Sequence, residues 1–377
     1  MAGVTYEPEP TEAPAPWGRK AVALAAAALV AAVVGFDAGA SLHRHGTRPS
    51  LAASEVPAPS LSAPAPGSVP LEPGGATSSL AGIVDINTVL GYGGGRAAGT
   101  GMIISSSGEI LTNNHVIDGS TSISVTSVTT GRTYQATVVG TDPTQDVAVL
   151  QLRGVSGLAT IPLASSAVSV GDRVSAVGNA GGAGGSPAVV DGAVQALNQT
   201  ITATDDNGAN AETLTGLIEI NAALQPGDSG GPLVNQRGQV VGMDTAASAG
   251  RRFSAGGTVG FAIPIARALD VARQIESGVA TGTIHIGLPG FLGVRVAPGA
   301  TGGAGIAGVI SGSPASKAGL AAGDTITSID GQPVDSPQTM SMLTRSHHPG
   351  DRVAVGWTDQ SGVAHTATVV LVTGPAD

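Results

Sequence analysis

The sequence predicts a mainly β chain: an all-β region of barrel or sandwich type, followed by a smaller α+β unit. Three observations carry this. Between Ser79 and Gly278, short apolar runs such as Met102-Ile103-Ile104, Ile123-Ser124-Val125, Thr137-Val138-Val139 and Val147-Ala148-Val149-Leu150 are broken by Gly, Asp, Asn and Ser, the spacing of many short strands. Beyond Phe291 the pattern changes: Thr325 to Ile329 alternates with period 2 into an Asp330-Gly331 turn, between helix-like stretches at Pro314–Leu320 and Pro337–Arg345. The chain has 377 residues with 57 Gly and 24 Pro, enough length for two or three domains and enough turn formers for many loops.

The elements follow in order. After Arg19-Lys20, Ala21 to Phe36 carries no polar side chain; at 1.5 Å per residue it spans about 24 Å, short of the usual hydrocarbon core. The basic pair before it and Ala38-Gly39-Ala40 after it predict export, by a cleaved signal peptide or an uncleaved signal anchor. Residues 1–40 are therefore read as a cytoplasmic tail plus signal or anchor. Residues 41–78, rich in Pro, Ala and Ser, read as an extended tether. Residues 79–278 form the all-β region, closed by one helix with Pro264 at its first position and Gly278 as its stop. Thr281 to Leu288 reads as a second connector, and residues 286–375 as the α+β unit, ending in a strand from Thr366 to Val372.

Composition excludes several functions. Seventeen basic against 27 acidic residues, a net charge of −10, disfavours a phosphate-binding surface, and 2% aromatics leaves no base-stacking platform; no nucleic-acid partner is expected. With no cysteine there are no disulfides, thiol nucleophiles or Cys-based metal sites. Asp205-Asp206-Asn207-Gly208 lacks the bidentate Glu of a calcium loop, so no metal and no cofactor is expected.

The stretch Gln225-Pro226-Gly227-Asp228-Ser229-Gly230-Gly231-Pro232 carries the chemistry. A Ser between glycines allows close approach of a substrate, and the N–H groups of Gly227 and Ser229 can converge on a developing oxyanion. Read only as G-x-S-x-G the motif also fits a hydrolase elbow, which needs its His downstream. The only His in the all-β region is His115, upstream of the Ser. Asp146, opening an apolar strand, is the best carboxylate to orient it; Asp118, Asp142 and Asp172 are rivals on composition. The order His, Asp, Ser fits a chymotrypsin-type double barrel.

Thr112-Asn113-Asn114-His115-Val116-Ile117, Gln145-Asp146-Val147-Ala148-Val149-Leu150, Gly227 to Asn235 and Val259-Gly260-Phe261-Ala262-Ile263-Pro264 resemble the signature blocks of HtrA/Deg serine proteases. Phe291-Leu292-Gly293-Val294, Gly323-Asp324 and Ile329-Asp330-Gly331 resemble the PDZ domain that follows the protease in that family; the tether and composition resemble its actinobacterial branch.

The resemblance implies a chymotrypsin-like double antiparallel β-barrel followed by a PDZ domain. It implies a catalytic triad of His115, Asp146 and Ser229, with Gly227 and Ser229 as the oxyanion hole. The residue six before the nucleophile, Ala223, would floor the specificity pocket, with Gly257, Val259 and Gly260 in its wall; a small neutral floor suits small or medium aliphatic residues. Phe291, Leu292, Gly293 and Val294 would receive a peptide's carboxylate. The expected function is an exported, ATP-independent serine endopeptidase acting on unfolded envelope or secreted proteins, with peptide C-termini as PDZ partners and the membrane met only through the N-terminal segment. The alternatives are a chaperone or peptide-binding scaffold with a latent protease, and a PDZ adaptor. Trimers are common in the family through contacts that often use aromatics ahead of the first barrel; here that stretch offers mainly Ile83, Val84, Ile86 and Tyr92, so the resemblance leaves a homotrimer as one option and the oligomeric state open.

Overall fold

Strand β1 (Ile83–Val89) pairs antiparallel with β2 (Arg96–Ile103), the first step of a barrel that runs on through β3 (Glu109–Thr112), β4 (Ser122–Ser127), β5 (Thr133–Asp142) and β6 (Val147–Leu152). Its order β5-β4-β1-β2-β3-β6 closes through the β5–β6 pairing. The structure is a computed structural model that describes residues 81–92, 94–203, 212–245, 259–297 and 302–376. The second barrel uses β7 (Arg173–Gly178), β8 (Ala188–Ala203), β9 (Glu212–Ile220), β10 (Pro232–Asn235), β11 (Val240–Thr245) and β12 (Gly260–Pro264), closed in the order β10-β11-β12-β9-β8-β7.

Strand alternation explains where the cores lie. Val84, Ile86, Ile103, Ile110, Val125 and Leu150 fill the first barrel. Their neighbours of opposite parity, Ile83, Met102, Leu111 and Val149, join Val177, Leu217, Val240, Met243 and Phe261 in a shared core between the barrels. A second interior is built from Val174, Val194, Ile220, Leu233 and Val241. With so few aromatics, stabilisation comes from many aliphatic side chains, each worth roughly 1.5–3 kcal/mol when fully buried.

The helix closing the second barrel, α2 (Ile265–Glu276), follows the turn helix α1 (Asn114–Ile117) in chain order and lays Ile265, Ala268, Val271, Ala272 and Ile275 into the shared core. Pro264 is the residue before its first turn rather than the first helical position, because its ψ of 132° is still extended. The connector expected at Thr281 to Leu288 is part of the first sheet: β13 (His285–Ile286) pairs with Thr141 and Gly140 on the β5 edge, and Ile284 is buried.

The last unit contains β14 (Gly290–Phe291), β15 (Val294–Val296), β16 (Ala304–Val309), α3 (Pro314–Ala318), β17 (Thr325–Ile329), β18 (Gln332–Pro333), α4 (Pro337–Arg345), β19 (Arg352–Thr358), β20 (Ala364–Val370) and β21 (Val372–Thr373). Its core is Leu292, Ile306, Ile326, Met340, Val355 and Trp357. Ser313 and Ser336 cap α3 and α4 through their hydroxyls, each ahead of a proline in the first turn. The strand expected at Thr366 to Val372 splits at Leu371, whose N–H bonds Asp351, so that β21 leaves β20 and pairs with β14. His347, just past α4, is half-buried between Asp330 and Asp351.

Of the four residues that the stretch ahead of the first barrel offers for a trimer contact, Ile83, Val84 and Ile86 are 1%, 0% and 0% exposed. Committed to the barrel, they offer no surface to another copy. Tyr92 stacks on Phe291 at 4.7 Å between ring centroids. The apolar run Ala21 to Phe36, the Ala38 to Ala40 pattern, the tether and the Asp205 to Gly208 stretch lie outside the described residues. Among the described residues no helix is long and apolar enough to cross a membrane.

Candidate active site

His115 stands on α1, a single helical turn between β3 and β4. Val116 and Ile117 are buried in the first barrel, which anchors the turn and leaves the imidazole 43% exposed. Asp146 follows a 3-10 turn, Pro143–Gln145, whose N-terminus is capped by Asp142 accepting from the Gln145 N–H. It adopts φ 53° and ψ 47°, a left-handed conformation that Asp tolerates better than most side chains, and this turns the carboxylate away from the strand it opens.

The carboxylate of Asp146 is 2% exposed and accepts from three groups. The His115 backbone N–H reaches Oδ1 at 3.0 Å, and His115 Nδ1 lies 3.0 and 2.9 Å from Oδ1 and Oδ2. The Thr245 hydroxyl donates to Oδ2 at 3.0 Å, and Asn113 Nδ2 donates to the Asp146 carbonyl at 3.0 Å. A carboxylate facing Nδ1 selects the tautomer protonated there, leaving Nε2 as the proton acceptor. The rivals are placed elsewhere: Asp142 caps its turn and bonds Thr144 and Thr283, Asp172 caps Ser169, and Asp118 follows α1 on the surface.

Ser229 lies on the tight turn before β10. Gly227 at φ 101° would set a Cβ 2.1 Å from the Asn179 carbonyl oxygen, and Gly230 at φ 81° would set one 2.2 Å from the Thr100 carbonyl oxygen; neither position accepts a side chain. The turn is closed by Asp228 N–H to Gln225 O at 3.0 Å, Gln225 N–H to Asp228 Oδ2 at 2.8 Å and Gly231 N–H to Asp228 O at 2.9 Å. Strand β11 holds it from one side, through Gly230 N–H to Asp244 O and Asp244 N–H to Gly231 O, both 2.8 Å. Strand β2 holds it from the other, through Thr100 N–H to Ser229 O at 2.8 Å. Burial raises the Asp228 carboxyl above its ordinary range, partly offset by the Gln225 N–H.

Ala223 is half-buried, and Gly260 lies against its neighbours: a Cβ there would meet Leu224 Cγ at 2.8 Å and the Ala222 carbonyl at 2.9 Å. Val259 is 37% exposed beside it, while Gly257 lies outside the described residues. In the last unit, Phe291, Leu292, Gly293 and Val294 line a groove of about 210 Å³ with Met340 and Thr344 of α4, and Asp118, Gly119 and Ala376 line it too. The Gly119 N–H bonds the Ala376 carbonyl at 2.7 Å, and the Ala376 N–H bonds the Ser120 carbonyl at 2.8 Å.

Three residues at this site went unread in the sequence, Thr100, Asp244 and Thr245, while Asn113 stands in a signature block with no role of its own assigned. Threonines in strands are ordinary β formers, and nothing in the chain order pairs Thr245 with Asp146, 99 residues away. Asp244 left one trace, a carboxylate inside the otherwise uncharged run from Val240 to Thr245.

Two antiparallel barrels with a His–Asp pair and a Gly-flanked Ser, followed by a small α+β unit, define a trypsin-like serine protease carrying a PDZ domain. The trypsin-like peptidase domain family matches residues 99–243, and the PDZ domain family matches residues 305–355. The chain is 36% identical over 356 residues to the serine protease PepD of Mycobacterium tuberculosis, covering 90% of this chain and 73% of that protein. It is 35% identical over 281 residues to the periplasmic serine endoprotease DegP of Escherichia coli, covering 71% of this chain and 56% of DegP. The solved HtrA-type protease AlgW with tripeptide is 32% identical, with a TM-score of 0.45, over 80% of this chain and 97% of AlgW. The chain belongs to the HtrA/Deg family and is a serine endopeptidase.

Proposed function

We propose that the chain is an exported, ATP-independent endopeptidase that cuts unfolded envelope or secreted proteins, with residues 79–278 as the protease and 286–375 as the unit that binds peptide C-termini. The observation that carries the reading is the fully bonded Asp146 carboxylate, which fixes the imidazole of His115 from Nδ1. Periplasmic relatives such as DegP support the compartment.

In this reading Ser229 Oγ attacks the scissile carbonyl while His115 Nε2 takes its proton. The C–O bond forms as the carbonyl π pair moves onto oxygen, where the N–H groups of Gly227 and Ser229 receive it. The imidazolium, stabilised by Asp146, then protonates the leaving amine as the C–N bond breaks. Water, deprotonated by the same nitrogen, releases the acyl group by the reverse geometry. Ala223, with the strand start at Val259 and Gly260, forms a neutral pocket that favours Val, Ala and similar residues before the cut.

The test is digestion of unfolded casein by the chain and by its Ser229→Ala variant, with the products sequenced. Cleavage after small aliphatic residues by the first and silence of the second are expected. A Ser229→Ala variant that still cuts sinks the assignment of the nucleophile. Absence of cutting by either protein, with PDZ-binding peptides present, replaces the protease reading with the binding one.

A further inference from the structure

We infer that Thr100, on the first barrel, is a positioning residue for the oxyanion hole of the second barrel, acting through its hydroxyl on the peptide between Gly227 and Asp228. The inference rests on the proposed roles of Gly227 and Ser229 and deepens them.

Thr100 is 0% exposed and makes four bonds of 2.7–2.8 Å. Its hydroxyl donates to the Gly227 carbonyl at 2.7 Å and accepts from the Asn179 N–H at 2.8 Å. Its backbone N–H donates to the Ser229 carbonyl at 2.8 Å, and its own carbonyl accepts from the Thr112 hydroxyl at 2.7 Å, three residues before His115. One buried residue therefore bonds to the turn that carries Ser229, to the loop that begins at Asn179 and to the strand that leads to His115.

A trans peptide is planar, so its N–H points opposite to its C=O, and an oxyanion donor is aimed by whatever holds the carbonyl of the same unit. The Gly227 N–H belongs to the unit whose Pro226 carbonyl accepts from the Gly181 N–H at 2.8 Å. The Ser229 N–H belongs to the unit whose Asp228 carbonyl accepts from the Gly231 N–H at 2.9 Å. Between the two donors lies the Gly227–Asp228 unit. Its carbonyl is held by Thr100 and its N–H by the Gln225 carbonyl at 3.0 Å. Gly227 has no side chain to resist rotation about its own backbone, and at φ 101° none could be fitted. The Thr100 hydroxyl supplies that resistance from the opposite barrel. It also ties Asn179, 4% exposed, to the same unit, so the loop reaching Gly181 and the nucleophile turn are set by one oxygen atom.

Replacing Thr100 with Val keeps shape and backbone bonds but leaves the Gly227 carbonyl and the Asn179 N–H without a buried partner. The unit between the donors is then free to turn, and the two N–H groups no longer share one target.

The experiment compares the full chain with its Thr100→Val, Thr100→Ser and Thr88→Val variants on a fluorogenic peptide with Val before the reporter amine. Active sites are titrated with a fluorophosphonate, and affinity is measured for a peptide boronic acid whose tetrahedral adduct occupies the oxyanion position. Thr88 is the control: it is 1% exposed and its hydroxyl bonds only within the first barrel, to the Ala97 carbonyl. Thr100→Val should lose about 10- to 100-fold in kcat per titrated site, with KM within about twofold and boronate affinity falling in parallel. Thr100→Ser should recover kcat to within about threefold, and Thr88→Val should keep it. Equal kcat in Thr100→Val and the unsubstituted chain overturns the inference, as does a Thr100→Ser variant no better than Thr100→Val. If Thr100→Val does not fold, Thr100→Ala takes its place: kcat and boronate affinity well below those of Thr100→Ser support the hydroxyl, and values equal to those of Thr100→Ser refute it. Silence of every protein, the unsubstituted chain included, is failure of the protease reading and is told apart by the absence of titratable sites.

Discussion

Replacing Asp244 with Asn should stabilise the protease, by an amount that grows with pH. Asp244 sits on β11, 0% exposed, and neither carboxyl oxygen has a hydrogen-bond partner. Burial pushes its carboxyl well above the ordinary range; the charge of Asp228 raises it further, and the field of the Val177 N–H partly offsets both. Asp228, less buried and bonded by the Gln225 N–H, ionises first, which is why its charge acts on Asp244. From β7 and β12, the strand segments Val174–Gly178 and Gly260–Pro264 bring no titratable side chain to oppose this.

The sign follows from proton linkage. The native state keeps a proton on Asp244 that the unfolded chain releases near pH 4, so stability is fully present below that pH and is lost as pH rises through the folded-state value. One extra proton bound in the native state lowers the unfolding free energy by about 1.4 kcal/mol for each pH unit within that window. Asn cannot ionise, so it carries no such pH-dependent cost. In a Ser229→Ala background, which prevents self-digestion, urea unfolding at pH 5, 6, 7 and 8 should show the Asp244→Asn advantage widening by about 1.4 kcal/mol per pH unit and then levelling. The shifted groups Asp85 and Glu276 cancel in this difference. Parallel curves across the range would refute the reasoning, because they would mean that Asp244 titrates alike in both states.

Other perturbations test the rest. Asp146→Asn should cost about 10⁴-fold in kcat with little change in KM, because the amide no longer selects the Nδ1–H tautomer; Thr245→Val, which leaves the His115 contacts in place, should cost about tenfold in the same peptide assay. Leu217→Ala, emptying a fully buried site in the core shared by the barrels, should lower stability by about 2.7–5 kcal/mol, read as a reduced urea midpoint. Ala223→Asp should move cutting toward Lys and Arg, and sequenced products that still end in Val and Ala would remove Ala223 from the pocket floor.

The parts of the fold read correctly in the sequence are those where a local pattern has one physical solution. The Ser-Pro starts of α3 and α4 are caps followed by a preset φ, and the Asp330-Gly331 turn places both residues at positive φ, 47° and 76°. Where tertiary pairing decides, the sequence is silent. His285 and Ile286 read as linker because two residues carry no period, yet the open edge of β5 recruits them as a strand. The stretch Ile83 to Ile86 leaves the oligomeric state open in the sequence, since nothing local says which face it buries; in the structure all four positions are buried, with Ile83 in the shared core and Val84 and Ile86 in the first barrel. His115, Asp146 and Ser229 could be singled out because an imidazole, a carboxylate opening an apolar strand and a hydroxyl between glycines are chemically distinctive, and the structure brings the first two together. Thr100 and Thr245 could not, since a hydroxyl that bonds a remote carbonyl or carboxylate looks like any strand threonine.

The same threonines explain how a chain without cysteine keeps a two-barrel site registered. His115 and Asp146 belong to the first barrel, and Ser229 to the second. Thr245 reaches from the second barrel to Asp146 and Thr100 from the first to Gly227, so the crossings run in opposite directions at two points. One crossing alone would let the barrels pivot about it; the second leaves only rotation about the line joining them, which the Thr100 N–H bond to the Ser229 carbonyl and the shared core oppose. Both oxygens lie in residues 2% exposed or less, so water does not compete for them and each bond keeps its full strength in a low dielectric. Sliding the barrels by even an ångström would therefore break the Thr245 bond to Asp146 and the Thr100 bond to Gly227 together. That cost falls on the native seam and not on either barrel's interior, which makes registration of the active site a property of the seam's hydroxyls and the shared aliphatic core acting jointly.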